Sequence, residues 1–324
     1  MNTKTIKPLA GALLSAILFG FIAGFQKIGI SRDYENYLSY FEWINGKTLI
    51  EAISYRFEPG FAIITLLLSL LNTEGPLIYF FISGICIFIK FYAIKDTRNY
   101  QLVFITLLVF YLLRYFTLFE MTVLRATLAM SLAFYVFFRR DTQKINIIDI
   151  LLLMTAASMH FSAVAFIPIY LYTPTNKKNA AIITILVFFL FLGLSEFAIK
   201  NLPNYISVFE TYDEFNPSTF IPKPMILDIL YIGFLIRYWR KLNFQSKTAI
   251  YGTLISFSIH FSLLQYSIIG GRLKELLSVF FLIIVTQVIG YSKNKSVRFA
   301  TVIFILTSGI THVYTTYIHD PLLT

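Results

Sequence analysis

Cysteine is almost absent from this chain: Cys86 is the single one in 324 residues, and it lies inside an apolar run. That leaves no disulfide framework and no thiolate metal cluster. Charge is scarce as well, at 14% of residues against 57% hydrophobic, with a mean hydropathy of +0.71. A soluble globular domain does not have this composition. The alternation of an outer-membrane barrel is missing too. No glycine-rich phosphate loop, His/Cys metal spacing, Ser-His-Asp order or Asp-x-Asp pair is visible. ATP-driven transport and nucleotide-sugar transfer lose support accordingly, and no metal or cofactor is expected. His160-Phe161-Ser162 and His260-Phe261-Ser262 match over three residues only, which is too little for an internal repeat.

What the chain does have is a series of apolar runs long enough to cross a bilayer, which takes about 20 residues. We read spans at 8–26, 75–94, 99–116, 118–138, 145–159, 160–172, 179–199, 223–240, 247–268, 272–291 and 296–317. The fold expected is an all-α polytopic transmembrane bundle of about 11–12 membrane segments, forming a single integral membrane domain over residues 1–324. Segment 58–72 is too short to cross and reads as re-entrant. Lys4 and Lys7 precede the Pro8–Phe25 run as in a signal peptide, but no small-residue cleavage site follows, so a retained first helix is expected. Basic clusters at Lys95/Arg98, Arg139/Arg140/Lys144, Lys177/Lys178, Arg237/Arg240/Lys241/Lys247 and Lys293/Lys295/Arg298 share one face if the spans alternate. That face is expected to be cytoplasmic. The net charge of +10 is explained in this way, without nucleic acid. The 34 Phe and 21 Tyr suit lipid-facing packing and interfacial belts.

Two outer loops follow, at about 26–57 and 200–224. In the first, Asp33, Tyr37, Tyr40, Phe41 and Ile44 recur at helical spacing, and the loop ends in Phe57-Glu58-Pro59-Gly60-Phe61. Glu58 stands where its carboxylate would face the positive end of the helix that Pro59 begins. The second loop is rich in Pro, Asn and Tyr and reads as an irregular lid.

Inside the run from Leu118 to Phe138, Arg125 lies roughly two turns in. A cation there costs at least a few kcal/mol unless it meets a partner or water. Thr122, Arg125 and Ala129 are expected to share one helix face. One outcome is an arginine that snorkels or pairs with an acid such as Glu58 or Glu120. The other is a cation at the floor of an outward cavity, ready for an anion. Met159-His160-Phe161-Ser162-Ala163 joins two short helices, so we expect a hairpin with His160 near its outer turn. Gly270-Gly271-Arg272 reads as another outer turn, with Arg272 where backbone can approach a ligand. Glu275, three residues on, reads as a plain ion-pair partner. Together Asp33, Glu58, Arg114, Glu120, Arg125, His160 and Arg272 form a set of outward polar groups at membrane depth. Arginine binds phosphate bidentately, and an imidazole or carboxylate can move a proton, so the set suits an anionic lipid-linked substrate.

Asp33-Tyr34-x-x-Tyr37, Glu58-Pro59-Gly60-Phe61, Leu124-Arg125-Ala126-Thr127-Leu128-Ala129 and His160-Phe161-Ser162-Ala163 occur in an order and spacing that resembles the EpsG family. That family belongs with the Wzy-type polymerases of O-antigen, capsule and exopolysaccharide. The resemblance covers residues 30–172 best, and beyond them rests on the second outer loop and Arg272. It departs at Ala126-Thr127, where Gln-Gly is expected. The resemblance implies a membrane glycosyltransferase of the bacterial cytoplasmic membrane with its active site facing outward and no nucleotide cofactor. Its substrates would be undecaprenyl-diphosphate-linked oligosaccharides. Its partners would be membrane lipid and other assembly proteins, such as a chain-length regulator or a flippase. In this reading Arg125 and Arg272 bind the diphosphate, with Arg114, Tyr34 and Tyr37 also contacting substrate. His160, Glu58 or Asp33 is the base or its orienter. The rival functions are a flippase for the same lipids, expected to show paired broken helices in repeated halves, and a membrane acyltransferase with His160 as base.

Overall fold

Backbone in hydrocarbon has no water to bond, so a chain this apolar satisfies its amides within helices. The computed structural model describes residues 3–71, 74–201, 223–319 and 322–323, and among them there is no strand, only two isolated bridges. The all-α bundle is as expected.

Helix α1 (Thr3–Gly24) packs along α5 (Gly75–Ala93). Between them lie three shorter helices, α2 (Tyr34–Ile44), α3 (Leu49–Ser54) and α4 (Pro59–Ser69). A capping box between Thr48 and Glu51 starts α3. α4 has 11 residues, a rise of roughly 16 Å, so it does not span. Then come α6 (Tyr100–Arg114), α7 (Leu124–Arg139), α8 (Ile147–Met159), α9 (Phe166–Leu171) and α10 (Lys177–Asn201). The remainder is α11 (Lys223–Arg237), α12 (Phe244–Ser262), α13 (Ser267–Leu277), α14 (Val279–Tyr291) and α15 (Lys295–Tyr314). Asn146, Asn243 and Asn294 cap α8, α12 and α15 by accepting first-turn N–H groups. Most of the second outer loop, 202–222, lies outside the described residues.

Five stretches are long and apolar enough to cross a membrane on their own: Lys7–Gly24, Gly75–Ala93, Lys177–Leu194, Ile269–Tyr291 and Lys295–Ile318. Of the other expected spans, those at 99–116, 145–159 and 160–172 are shorter apolar helices, Tyr100–Arg114, Ile147–Met159 and Phe161–Leu171. The 145–172 region is the expected hairpin. Tyr170 Oη, on the returning limb, donates to Asp149 at the start of α8 (2.8 Å), while His160 caps the far end of α8.

Two expectations are corrected. Leu118–Phe138 is not one helix. Thr117–Thr122 forms a π turn, closed by Val123 N–H donating to the Leu118 carbonyl (3.0 Å), and α7 begins only at Leu124. The break leaves the Met121 carbonyl free of helical bonding. It instead accepts from Tyr79 Oη (2.6 Å), Gln26 Nε2 (3.4 Å) and Ser31 Oγ. Three donors from α5 and the segment after α1 thus hold the break in place, and Thr122 does not share a helix face with Arg125. The second correction concerns Gly270 and Gly271, which are helical. The chain reverses earlier, through Leu263–Tyr266, and α13 follows. Gly270 is needed for close approach, since a Cβ there would come within 3.2 Å of Leu263 Cβ.

The ends of the bundle are chemically distinct. At one end Asn99 Nδ2 donates to the Gly290 carbonyl (3.1 Å), Trp239 Nε1 to the Thr175 carbonyl (3.1 Å) and Asn243 Nδ2 to Gln287 Oε1 (2.8 Å). The basic clusters gather there. The π turn, the start of α4 and the end of α8 meet at the opposite end.

Candidate functional site

Glu58, Arg125 and His160 come from three separate segments and meet around one carboxylate. Each is placed by a local cause. Pro59, at the first turn of α4, fixes the backbone so that Glu58 stands extended before the helix (φ −61°, ψ 145°). Gly60 lets α4 press against the end of α8, where any Cβ would lie 2.3 Å from Ser158 Oγ. That contact brings Glu58 to His160, the extended residue closing α8 (φ −154°, ψ 114°). The π turn then sets Arg125 as the second residue of α7, where it was expected two turns inside a helix. A cation at a helix N-terminus is disfavoured by about 0.3–1 kcal/mol, so the position calls for an anion.

Glu58 supplies it. Its Oε2 accepts from Arg125 Nη1. Its Oε1 accepts from the Phe161 backbone N–H (3.3 Å) and faces His160 Nδ1 at 3.1 Å. The carboxylate does not cap α4; it reaches across to the other two segments. Burial pulls the Glu58 carboxyl upward, but the His160 hydrogen bond and the Arg125 charge outweigh it and hold the group well below the usual carboxylate range. An ionised carboxylate only accepts hydrogen bonds, so Nδ1 of His160 carries the hydrogen. In the neutral imidazole, Nε2 then keeps its lone pair. The side chains of Arg125, Glu58 and His160 are 25%, 18% and 20% exposed, so a ligand can reach them.

Aromatic rings wall the pair. The Arg125 guanidinium lies 4.3 Å from the Phe57 ring centre. Tyr37, buried on the inner face of α2, lies against the same guanidinium and packs tilted against Phe57 and edge-to-face against Phe61 and Tyr79. Arg125 Nε–H is buried with no hydrogen-bond partner among the described residues.

The other expected residues fall differently. Tyr34 Oη donates to the Gly24 carbonyl (2.7 Å), a tie between α2 and α1. Asp33 stands half-buried at the start of α2 and makes no capping bond. Arg272 is exposed on α13, which packs against the Phe161–Ala165 turn and α7. Arg114 does not join the cluster. It is buried in a two-pronged pair with Asp228 (2.7 Å to each carboxylate oxygen) and also donates to Ser308 Oγ (2.7 Å).

Glu120 likewise is occupied elsewhere. With Lys90 it forms a fully buried ion pair (2.6 Å, both 0% exposed), and Tyr111 Oη donates to the same oxygen. Lys90 and Asp228 were absent from the sequence reading. Their signal was visible, since each is a lone ionisable residue in an apolar run.

The EpsG family model matches residues 11–322, nearly the whole chain. The chain belongs to the EpsG family. EpsG proteins are Wzy-like polymerases, so the expected resemblance holds over nearly the whole chain, well beyond residues 30–172. Membership makes this protein a polymerase of the glycosyltransferase type, acting in polysaccharide biosynthesis at a membrane. No match is found among curated proteins or among solved structures.

Proposed function

We propose that this EpsG-family protein joins polysaccharide repeat units at the outer face of the bacterial cytoplasmic membrane. It would transfer the growing glycan from undecaprenyl diphosphate to a sugar hydroxyl of an incoming lipid-linked unit. The observation that carries this reading is the Glu58 carboxylate bridging Arg125 and His160.

In the transfer, the acceptor oxygen forms a bond to the anomeric carbon as the bond from that carbon to the diphosphate oxygen breaks. The diphosphate leaves with the electron pair, and the acceptor's proton goes to His160 Nε2. Glu58 acts as the orienter: it is held too acidic to be an effective base at neutral pH, but it fixes the imidazole and stabilises it once protonated. Arg125 neutralises the leaving diphosphate. It stands in the first turn of α7, where no side chain caps the helix and the positive end of the helix dipole adds to its charge. Arg272 would add charge from α13. Tyr37 keeps the guanidinium in place.

The test is a proteoliposome assay with purified protein and lipid-linked repeat units. Chains of two or more units support the proposal. Lipid movement without lengthening would make the protein a flippase, and a mass gain of one acyl group would make it an acyltransferase.

A further inference from the structure

At the basic end of the bundle a cleft of about 650 Å³ opens between α5, α7 and α8. Its inner wall is apolar, from Ile89, Leu132, Ile148 and Leu152, and its mouth carries Arg139, Arg140 and Lys144 with Asp141 and Asp149. Three cations thus face two carboxylates, and Asp149 already accepts from Tyr170 Oη (2.8 Å). Among the described residues none of the three cations forms an ion pair.

Arg140 is rigid. It donates to the carbonyls of Tyr170, Thr142 (3.1 Å) and Gln143 (3.3 Å) and lies 4.1 Å from the Tyr170 ring centre. Those hydrogen-bond partners are neutral, and the nearby Asp149 carboxylate offsets part of the charge. Arg139, braced against the Tyr135 hydroxyl and ring, is exposed, as is Lys144. Both can therefore turn toward an anion at the mouth.

We propose that this cleft binds an anionic diacyl phospholipid, with the headgroup phosphate between Arg139 and Lys144 and an acyl chain along the apolar wall. Charge complementarity favours a phosphate at the mouth. The wall favours a lipid over a free anion. Ile148, which lines the cleft, is 61% exposed, and Ile147, Leu151 and Met154 continue an open apolar flank along α8. A chain leaving the bilayer could slide in without crossing water.

Phosphatidylglycerol is the probe, with full-length protein in detergent and native mass spectrometry plus thermal unfolding as readouts. Wild type should retain phosphatidylglycerol over phosphatidylcholine and gain thermal stability from it. An Arg139→Gln/Lys144→Gln double variant should bind about thirtyfold more weakly, roughly fivefold per basic residue removed, with unchanged unfolding in the absence of lipid. Leu152→Trp, which fills the wall and keeps the charges, should also lose the lipid. Three results would each overturn the proposal: equal retention by these variants, equal retention of the neutral lipid, or displacement by inorganic phosphate at the same concentration.

Discussion

Replacing Glu58 with Gln keeps size and shape but removes the charge that Arg125 and His160 share. Glu58 accepts from Arg125, His160 and the Phe161 N–H. A hydrogen bond to a charged group is worth about 1.5–3 kcal/mol when shielded. At about a fifth to a quarter exposure for the three side chains, the lower end applies, and the site should lose about 2–3 kcal/mol. The bundle itself should remain inserted. The larger effect is chemical: a Gln amide can donate to Nδ1, which shifts the imidazole hydrogen to Nε2 and removes the base. Loss of oriented general-base catalysis is worth about 10²–10⁴ in rate. Chain lengthening by proteoliposomes, normalised to inserted protein, should therefore fall at least 10²-fold in Glu58→Gln. A rate within threefold of wild type would refute the orienting role, as would a loss matched by loss of inserted protein.

Arg125→Lys and Arg272→Lys should each keep a charge yet lose most lengthening, because a lysine cannot grip a diphosphate in two places. Together they should cost less than the product of the single effects, since both act on one group; gel analysis of chain length reads both. In the buried Lys90–Glu120 pair, Glu120→Gln should destabilise the protein by about 3–5 kcal/mol. The Lys90→Met/Glu120→Leu double variant should recover much of that in thermal unfolding, and no difference between the two would remove the pair from the account. Single cysteines at Lys47 and Gln143 test sidedness. Lys47 should react with an impermeant thiol reagent from outside and Gln143 should not, with little background from buried Cys86.

Much of this site could be read from the chain because its parts carry local signatures. Glu58 before Pro59-Gly60, His160 between two short helices and Arg125 in an apolar run are each visible without tertiary contacts. Their meeting was foreseen only as one alternative for Arg125, a pair with Glu58 or Glu120. Glu120 was unavailable because Lys90 holds it, and a lone lysine deep in α5 was the clue. The place of Arg125 within its helix differs from expectation for a physical reason. Hydropathy does not register a π turn, and this one exists because Tyr79, Gln26 and Ser31 converge on the Met121 carbonyl from distant segments. Gly270-Gly271 misled similarly: glycine marks turns in isolation, yet here it serves close packing against Leu263. Arg114 looked like its fellow arginines until Asp228, over a hundred residues away, supplied its partner.

The most direct measurement of the central claim is the product mass distribution from proteoliposomes given one lipid-linked repeat unit, comparing wild type with His160→Gln at equal inserted protein. Wild type should release free undecaprenyl diphosphate in step with a ladder of lengthened chains, and His160→Gln should leave the single unit intact. A full ladder from His160→Gln, or none from wild type, would contradict the assignment.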